Sequence, residues 1–251
     1  MTIYEVTFWA VVSVLGIIVG AFIGLNIKFN HHTIAKTMAL AAGLLIAAAT
    51  VELAAEAIED APLIYAIIAF LIGALGFSFG NVLLSSRGAK DRKRCGECVA
   101  QPTEDEKPGS GLAITLGTGM DAVPESIVLG LTLFTNGVDL PLILAIALGN
   151  LPEAISGSVG MLHAGRKKSW IFKVWGGVAF TSILLTVLGF FLAQNISGTI
   201  VSLLQLFGAG ALIAMVAETL IPEAFHGTPK YSGTIVAIGF ALLLAVNALT
   251  A

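Results

Sequence analysis

Eight long apolar runs limit what this chain can fold into. A helix needs roughly 20 apolar residues to cross a bilayer. The runs cover residues 6–27, 33–57, 62–85, 110–135, 139–164, 170–194, 198–224 and 231–250. They are continuous, whereas a membrane β-barrel shows alternating segments of about 10 residues. Charged residues make up 12% of the chain, about half the share usual in soluble domains. We therefore predict an all-α polytopic membrane protein in which residues 1–251 form a single transmembrane domain of eight helices.

The positive charges predict how these helices are oriented. All 13 Lys and Arg residues lie in or beside the first, third, fifth and seventh connections. Because positive charge is retained on the cytoplasmic side, we expect both termini to face outward. The first residues lack the basic start of a cleaved signal peptide, so we expect the first run to be retained. A net charge of −3 gives no indication of a nucleic-acid partner.

Residues 86–109 form the one long polar connection, between the third and fourth runs. Their composition predicts a flexible cytoplasmic loop. The loop contains Cys95 and Cys98, which can bind a metal, act in redox chemistry, or be two reduced thiols. Because no second ligand pair lies at the spacing of a structural zinc site, we favour the reduced thiols.

Acidic residues inside the fourth and fifth runs are the strongest functional signal. A charge at the bilayer centre costs about 2.5–3.5 kcal/mol on insertion scales, so such residues face protein or a wet cavity and mark functional sites. Asp121 and Glu125 are four residues apart, and Asn150 and Glu153 are three apart. Each pair therefore shares one helical face. The short connection between these runs predicts antiparallel neighbours, whose polar faces converge at mid-depth.

Two prolines accompany these side chains. Pro124 cannot donate a hydrogen bond to the carbonyl of Met120, and Pro152 cannot donate to that of Leu148, so each kink frees a carbonyl oxygen. Three carboxylates, one amide and two carbonyls make a site rich in oxygen acceptors. The acids would repel one another unless a cation lay between them, and a divalent cation suits such ligands. The alternative is that the acids are protonated and hydrogen-bonded to neighbouring helices.

Further acids extend from this site toward both ends of the bundle. Glu52 and Glu56 lie near the outer end of the second run, and Glu218 and Glu223 lie near the inner end of the seventh. Together with the mid-depth site, they predict a transport pathway. The alternative for Glu56 and Glu223 is an interfacial position with no role in transport.

Two runs also resemble each other. AAGLLIAAATVELAAEA (41–57) and GAGALIAMVAETLIPEA (208–224) are both rich in small residues and end in glutamates. One is predicted to run outward and the other inward, as in an inverted-topology repeat. The similarity suggests that the two halves of the chain share one fold.

The paired Pro-Glu motifs resemble those of the ZIP (Zrt/Irt-like) family of divalent-metal transporters. DAVPES (121–126) and GNLPEA (149–154) match the motifs that carry the metal site in the fourth and fifth helices of that family. The resemblance implies eight helices in a 3+2+3 inverted-repeat arrangement, outward termini and a variable cytoplasmic loop after the third helix. It also implies transport by alternating access.

The departures from the family pattern concern the ligands. Asp121 stands where the family has its first histidine, and Ala122 where it has asparagine. Gly149 replaces the second histidine, and Asn150 replaces the acid that follows it. The two glutamates that can bridge metals in the family are kept. These changes predict an atypical subgroup that binds one metal ion instead of two.

The expected substrate is thus a divalent metal ion, with no organic cofactor. We expect its ligands to be Asp121, Glu125, Asn150 and Glu153. The resemblance slightly favours Zn²⁺, whereas oxygen ligands suit Mn²⁺, Fe²⁺ and Cd²⁺ equally well. Uptake across a prokaryotic inner membrane is the implied role. The expected partners are the metal ion and the lipid bilayer, and a homodimer is left open.

Two other functions compete with metal transport. A proton-coupled transporter of another small solute would also need buried acids, but no Lys or Arg is predicted to lie mid-membrane to hold an organic anion. An intramembrane metal-dependent hydrolase usually needs a histidine. His31, His32, His163 and His226 all lie near the predicted cytoplasmic ends of their runs. We therefore expect no enzymatic activity.

Overall fold

The described part of the chain contains eight helices that are long and apolar enough to cross a membrane. The computed structural model describes residues 1–27, 30–90, 92, 101–103, 105–227 and 230–250, and among these no residue lies in a β-strand. The helices are α1 (Ile3–Asn26), α2 (His31–Ala57), α3 (Leu63–Ala89), α4 (Ser110–Thr135), α5 (Leu140–His163), α6 (Lys168–Ala193), α7 (Gly198–His226) and α8 (Ser232–Thr250). The prediction of an all-α polytopic membrane protein with eight spans is confirmed.

Local sequence signals set several helix ends. Thr2 and Glu5 form a capping box at the start of α1, which satisfies backbone donors of the first turn. Asn30 caps α2 through its side chain. Asp139 caps α5, where its Oδ1 accepts a hydrogen bond from the Leu142 N–H at 2.8 Å. These caps lie next to the apolar runs, so the boundaries predicted from hydropathy fall within a few residues of the helix ends.

The helices pack in pairs that repeat across the two halves of the chain. Helix α1 packs along α5, and α6 packs along α4; likewise α8 packs along α2, and α3 along α7. Exchanging α1 with α6, α2 with α7, α3 with α8 and α4 with α5 maps each contact onto another observed contact. This packing agrees with the 3+2+3 inverted-repeat arrangement that the family resemblance implies.

Glycines mark equivalent crossings in the two halves. A Cβ atom on Gly43 would lie 2.0 Å from the Val236 carbonyl oxygen in α8, and one on Gly210 would lie 2.0 Å from the Phe70 oxygen in α3. Gly43 and Gly210 each stand third in the two similar sequence segments. Because small residues let helix backbones approach closely, the repeated glycine fixes the same crossing twice.

Three helices contain π-helical turns. One covers Ala48–Ala54 in α2 and includes Glu52, and one covers Val216–Leu220 in α7 and includes Glu218. The third, Ser85–Ala89, extends α3 beyond its apolar run, and Gly88 within it has a φ of 114°. π-helical turns occur frequently at functional sites, and here all three lie near polar side chains discussed below.

The inner helices α4 and α5 carry the predicted site, and α3 and α8 lie at the periphery. Only 17% of the most apolar window of α3 and 11% of that of α8 are buried. Large apolar side chains such as Leu75 and Phe79 are exposed on α3. An apolar exterior of this kind is expected for helices that contact lipid. The acids of α4 and α5 are thereby kept away from the surface.

Candidate functional site

The four predicted site residues are all buried between the helices. Asp121 and Glu125 on α4 are each 2% exposed, and Asn150 and Glu153 on α5 are 5% and 4% exposed. Prolines lie inside both helices, at Pro124 and Pro152. The i, i+4 and i, i+3 spacings thus place the polar side chains on inward faces.

One contact joins the two helices directly. The Asn150 Nδ2 donates a hydrogen bond to the Glu125 Oε2 at 2.9 Å, and both residues are buried. This is the convergence of α4 and α5 that the sequence predicts. With its nitrogen directed to Glu125, the amide of Asn150 keeps its oxygen as an acceptor or ligand.

Asp121 is bound by an arginine that the sequence analysis did not select. Arg92 Nε donates to Asp121 Oδ2 at 2.8 Å, and Arg92 Nη2 donates to Asp121 Oδ1 at 2.6 Å. The two side chains form a buried ion pair that is 2% and 3% exposed. Bidentate pairing of this kind is the strongest geometry that a guanidinium and a carboxylate can adopt.

Small residues leave the space that the side chain and backbone of Arg92 occupy. A Cβ atom on Gly117 would lie 2.7 Å from the Arg92 Cδ, and one on Gly157 would lie 3.3 Å from the Arg92 carbonyl oxygen. That carbonyl accepts a hydrogen bond from Gln101 Nε2 at 2.9 Å. The Arg92 Nη1 also donates to the Ala89 carbonyl at 3.1 Å. Contacts from α3, α4 and α5 therefore hold both its backbone and its side chain.

A second layer of polar side chains extends from Arg92 to α7. The Arg92 Nη1 donates to Asn81 Oδ1 at 2.9 Å, and the Asn81 Nδ2 donates to Glu218 Oε2 at 2.6 Å. Ser78 donates a further hydrogen bond to Glu218. Glu218, predicted to lie on a transport pathway, is thus connected to Asp121 through Asn81 and Arg92.

The carboxylates around Arg92 stabilise its positive charge in this buried position. Burial alone lowers the pKa of Arg92, but the charge of Asp121 and its hydrogen bonds raise it above the ordinary value. Glu153 and Glu218 lie close enough to raise it further. The guanidinium is therefore the resident positive charge among three carboxylates.

The acids do not form a ready-made metal cluster. Within the described ranges, no three His, Cys, Asp or Glu side chains are placed so that they could hold a metal ion together. Asp121 is directed to Arg92, while Glu125 is directed to Asn150. The structure thus brings the four predicted residues into one buried region without arranging them as a coordination sphere.

The remaining pathway residues differ in burial. Glu52 is 4% exposed and Glu223 is 1% exposed, whereas Glu56 and Glu218 lie at the surface of the bundle. The bundle therefore encloses Glu223 and Glu52, whereas Glu56 and Glu218 are exposed on its surface. Asn136 donates a hydrogen bond to Glu56.

Near this end of the bundle, burial raises the pKa of Asp139 above its ordinary value. The hydrogen bond from the Leu142 N–H opposes this shift of the pKa, and the charge of Glu56 adds to it.

The predicted flexible loop is described only in part. Arg92 and Gln101 are buried, at 2% and 1% exposure, and Thr103 and Glu106 form a capping box that begins a short turn. Cys95 and Cys98 lie outside the described residues.

No sequence signal distinguishes Arg92 from its basic neighbours in AKDRKR. The packing around Arg92 depends on glycines that are distant in sequence, Gly117 and Gly157.

Comparison with known proteins adds no relative. No protein-family model matches the chain, and no curated protein is significantly similar to it. The resemblance to the ZIP family therefore depends on the paired Pro-Glu motifs and the eight-span pattern.

Proposed function

We propose that the chain is a secondary transporter that moves a divalent metal cation across the membrane. The observation that supports this most is the buried contact between Asn150 and Glu125, on two helices that each contain a proline. Asp121 and Glu153 are buried on the same helices, one turn away. Buried acids on facing membrane helices are costly and are typical of ion pathways.

The chemistry of these groups favours a cation over other substrates. Carboxylate and amide oxygens are hard ligands that suit divalent metals. Arg92 does not open the site to organic anions, because both oxygens of Asp121 already accept hydrogen bonds from it. Zn²⁺ leads among the candidates through the family resemblance, and Mn²⁺, Fe²⁺ and Cd²⁺ suit the same oxygens.

The distribution of charges supports the route and the orientation, and the family resemblance supports the direction. Glu52, Glu56, Glu218 and Glu223 extend the row of acids toward both ends of the bundle, and Glu218 is already linked to the site through Asn81. With positive residues on the cytoplasmic side, both termini face outward in a prokaryotic inner membrane. By the family resemblance, the ion moves inward as the bundle that contains α4 and α5 shifts relative to the other helices.

A metal-uptake screen in proteoliposomes tests this function. The wild-type chain is expected to take up at least one of Zn²⁺, Mn²⁺, Fe²⁺ and Cd²⁺. Glu125→Gln, which keeps the shape of the side chain and removes its charge, is expected to lower the initial rate at least tenfold. Glu59→Gln is the matched control, because Glu59 is an exposed acid in the connection between α2 and α3. Equal uptake by wild type and Glu125→Gln would exclude the site.

A further inference from the structure

We propose that Arg92 is the built-in counter-ion of the carboxylate site, and that a divalent cation must displace its guanidinium from Asp121 in order to bind. This inference depends on the proposed function, because it assigns to Arg92 the part of a tethered competitor for the transported ion. Arg92 thereby determines which ions the site accepts.

The geometry of the ion pair supports competition. Both oxygens of Asp121 accept hydrogen bonds from Arg92, at 2.8 and 2.6 Å. A metal ion that used Asp121 as a ligand would approach the same oxygens and would be repelled by the guanidinium. Asp121 can therefore serve either cation well, but not both at once.

The close packing around Arg92 indicates that the fold is arranged to hold an arginine at this position. Gly117 on α4 and Gly157 on α5 leave the space that its side chain and backbone fill. The buried amide of Gln101 holds its carbonyl oxygen. These three contacts come from different segments of the chain and converge on one arginine. A surface arginine that paired with Asp121 adventitiously would not need glycines and a buried amide around it.

A second acceptor is already in contact with the guanidinium. The Arg92 Nη1 donates to Asn81 Oδ1, and Asn81 donates in turn to Glu218. When a metal takes Asp121, the guanidinium can therefore turn toward Glu218 without leaving hydrogen-bonding partners. The displaced state is a local rearrangement, and it needs no change in the fold.

The charges predict a preference for divalent ions. A monovalent cation that replaced the guanidinium would restore the same single charge and lose the two hydrogen bonds to Asp121. A divalent cation would add one positive charge to a region that contains Asp121, Glu125 and Glu153. Arg92 thus excludes Na⁺ and K⁺ from a site whose carboxylates would otherwise attract them.

Isothermal titration of the purified full chain with Cd²⁺ tests the proposal. Arg92→Met, which keeps much of the volume and removes the charge, is expected to bind Cd²⁺ at least tenfold more tightly than wild type. Na⁺ is expected to compete with Cd²⁺ in this variant and not in wild type. Arg87→Met, an exposed arginine at the end of α3, is the control and keeps wild-type affinity. A tighter site is not a result that structural damage produces.

A second pair of variants protects the test against misfolding of Arg92→Met. Gly117→Ala places a Cβ atom against Arg92, while Gly119→Ala meets nothing within 4 Å. Gly117→Ala is expected to tighten Cd²⁺ binding severalfold, and Gly119→Ala is expected to leave it unchanged. Unchanged or weaker binding by both Arg92→Met and Gly117→Ala overturns the proposal.

The outcomes separate this inference from the proposed function. If wild type binds Cd²⁺, Glu125→Gln abolishes binding and Arg92→Met has wild-type affinity, the transport site stands and the role of Arg92 is refuted. If neither wild type nor Arg92→Met binds any ion of the uptake screen, both proposals fail together.

Discussion

The buried ion pair between Arg92 and Asp121 makes an asymmetric prediction about stability. Asp121→Asn keeps the shape of the side chain and removes the negative charge, which leaves a guanidinium that is 2% exposed. Removing one partner of a buried pair costs about 3–5 kcal/mol. Because Glu153 and Glu218 still act on Arg92, we expect the lower end of this range, about 3 kcal/mol.

The opposite substitution is expected to cost less. Arg92→Met leaves Asp121 without the guanidinium, but a carboxylic acid can take up a proton and donate a hydrogen bond, whereas a guanidinium cannot lose its proton. We expect a cost of about 1–2 kcal/mol, in the lower part of the 1–3 kcal/mol range for a buried group that loses its partner, because the protonated acid is neutral. The double variant Arg92→Met/Asp121→Leu buries an apolar pair in place of the ions, which is often close to neutral.

Equilibrium unfolding measures these costs directly. The purified variants are transferred from mild detergent into rising fractions of sodium dodecyl sulfate, and the loss of helix is followed by circular dichroism. The double variant is expected to be more stable than Asp121→Asn alone, and the exposed control Asp105→Asn is expected to change stability by less than about 0.5 kcal/mol. A cost for Asp121→Asn as small as that of the control, or a double variant that is less stable than Asp121→Asn, would refute the ion pair.

Three further predictions concern packing, pH and ligand geometry. Gly43→Ala is expected to destabilise the fold by about 3 kcal/mol or more in the same unfolding assay, because its Cβ would lie 2.0 Å from a carbonyl oxygen of α8 and overpacking is costly; Gly119→Ala is expected to be neutral, and equal effects would contradict the crossing. Since burial raises the pKa of Asp139, the stability that Asp139 contributes is full below about pH 4 and is lost as pH rises through the raised value. Asp139→Asn, which can still cap α5, is expected to show a smaller fall in melting temperature from pH 4 to 8, and an unchanged slope would contradict the assignment. Asn150→Leu removes the donor to Glu125 and is expected to weaken Cd²⁺ binding about 10–100-fold; calorimetry that finds wild-type affinity would exclude Asn150 from the site.

Much of the fold could be predicted because bilayer thickness limits the choices. Apolar runs of about 20 residues specify spanning helices whatever their neighbours are, so all eight were found. The end of α3 could not be predicted in the same way. The third run was expected to end at 85, but SSRGA continues as a π-helical turn to Ala89. Polar residues there continue the helix because they pack beside α4, which hydropathy does not measure.

The candidate site was predictable only within each helix. The spacings of Asp121 with Glu125 and of Asn150 with Glu153 gave the correct faces, since helical geometry is local. The contact between Glu125 and Asn150 depends also on tertiary packing, because α4 packs along α6 and α5 along α1, and the two helices contact each other little. Arg92 could not be foreseen, because its approach depends on the kink at Gly88, where φ is 114°. In sequence it is one basic residue among several, in a stretch that looks solvated.

The most direct test of the central claim is to locate the bound cation. Crystals or particles of the full chain prepared with Cd²⁺ can be examined by anomalous scattering, which identifies the metal without reference to activity. A single peak is predicted between α4 and α5, within coordination distance of Glu125 and Glu153, and it is predicted to be lost in Glu125→Gln. A peak elsewhere in the bundle, or no peak at Cd²⁺ concentrations that support uptake, would contradict the assignment of these carboxylates as the transport site.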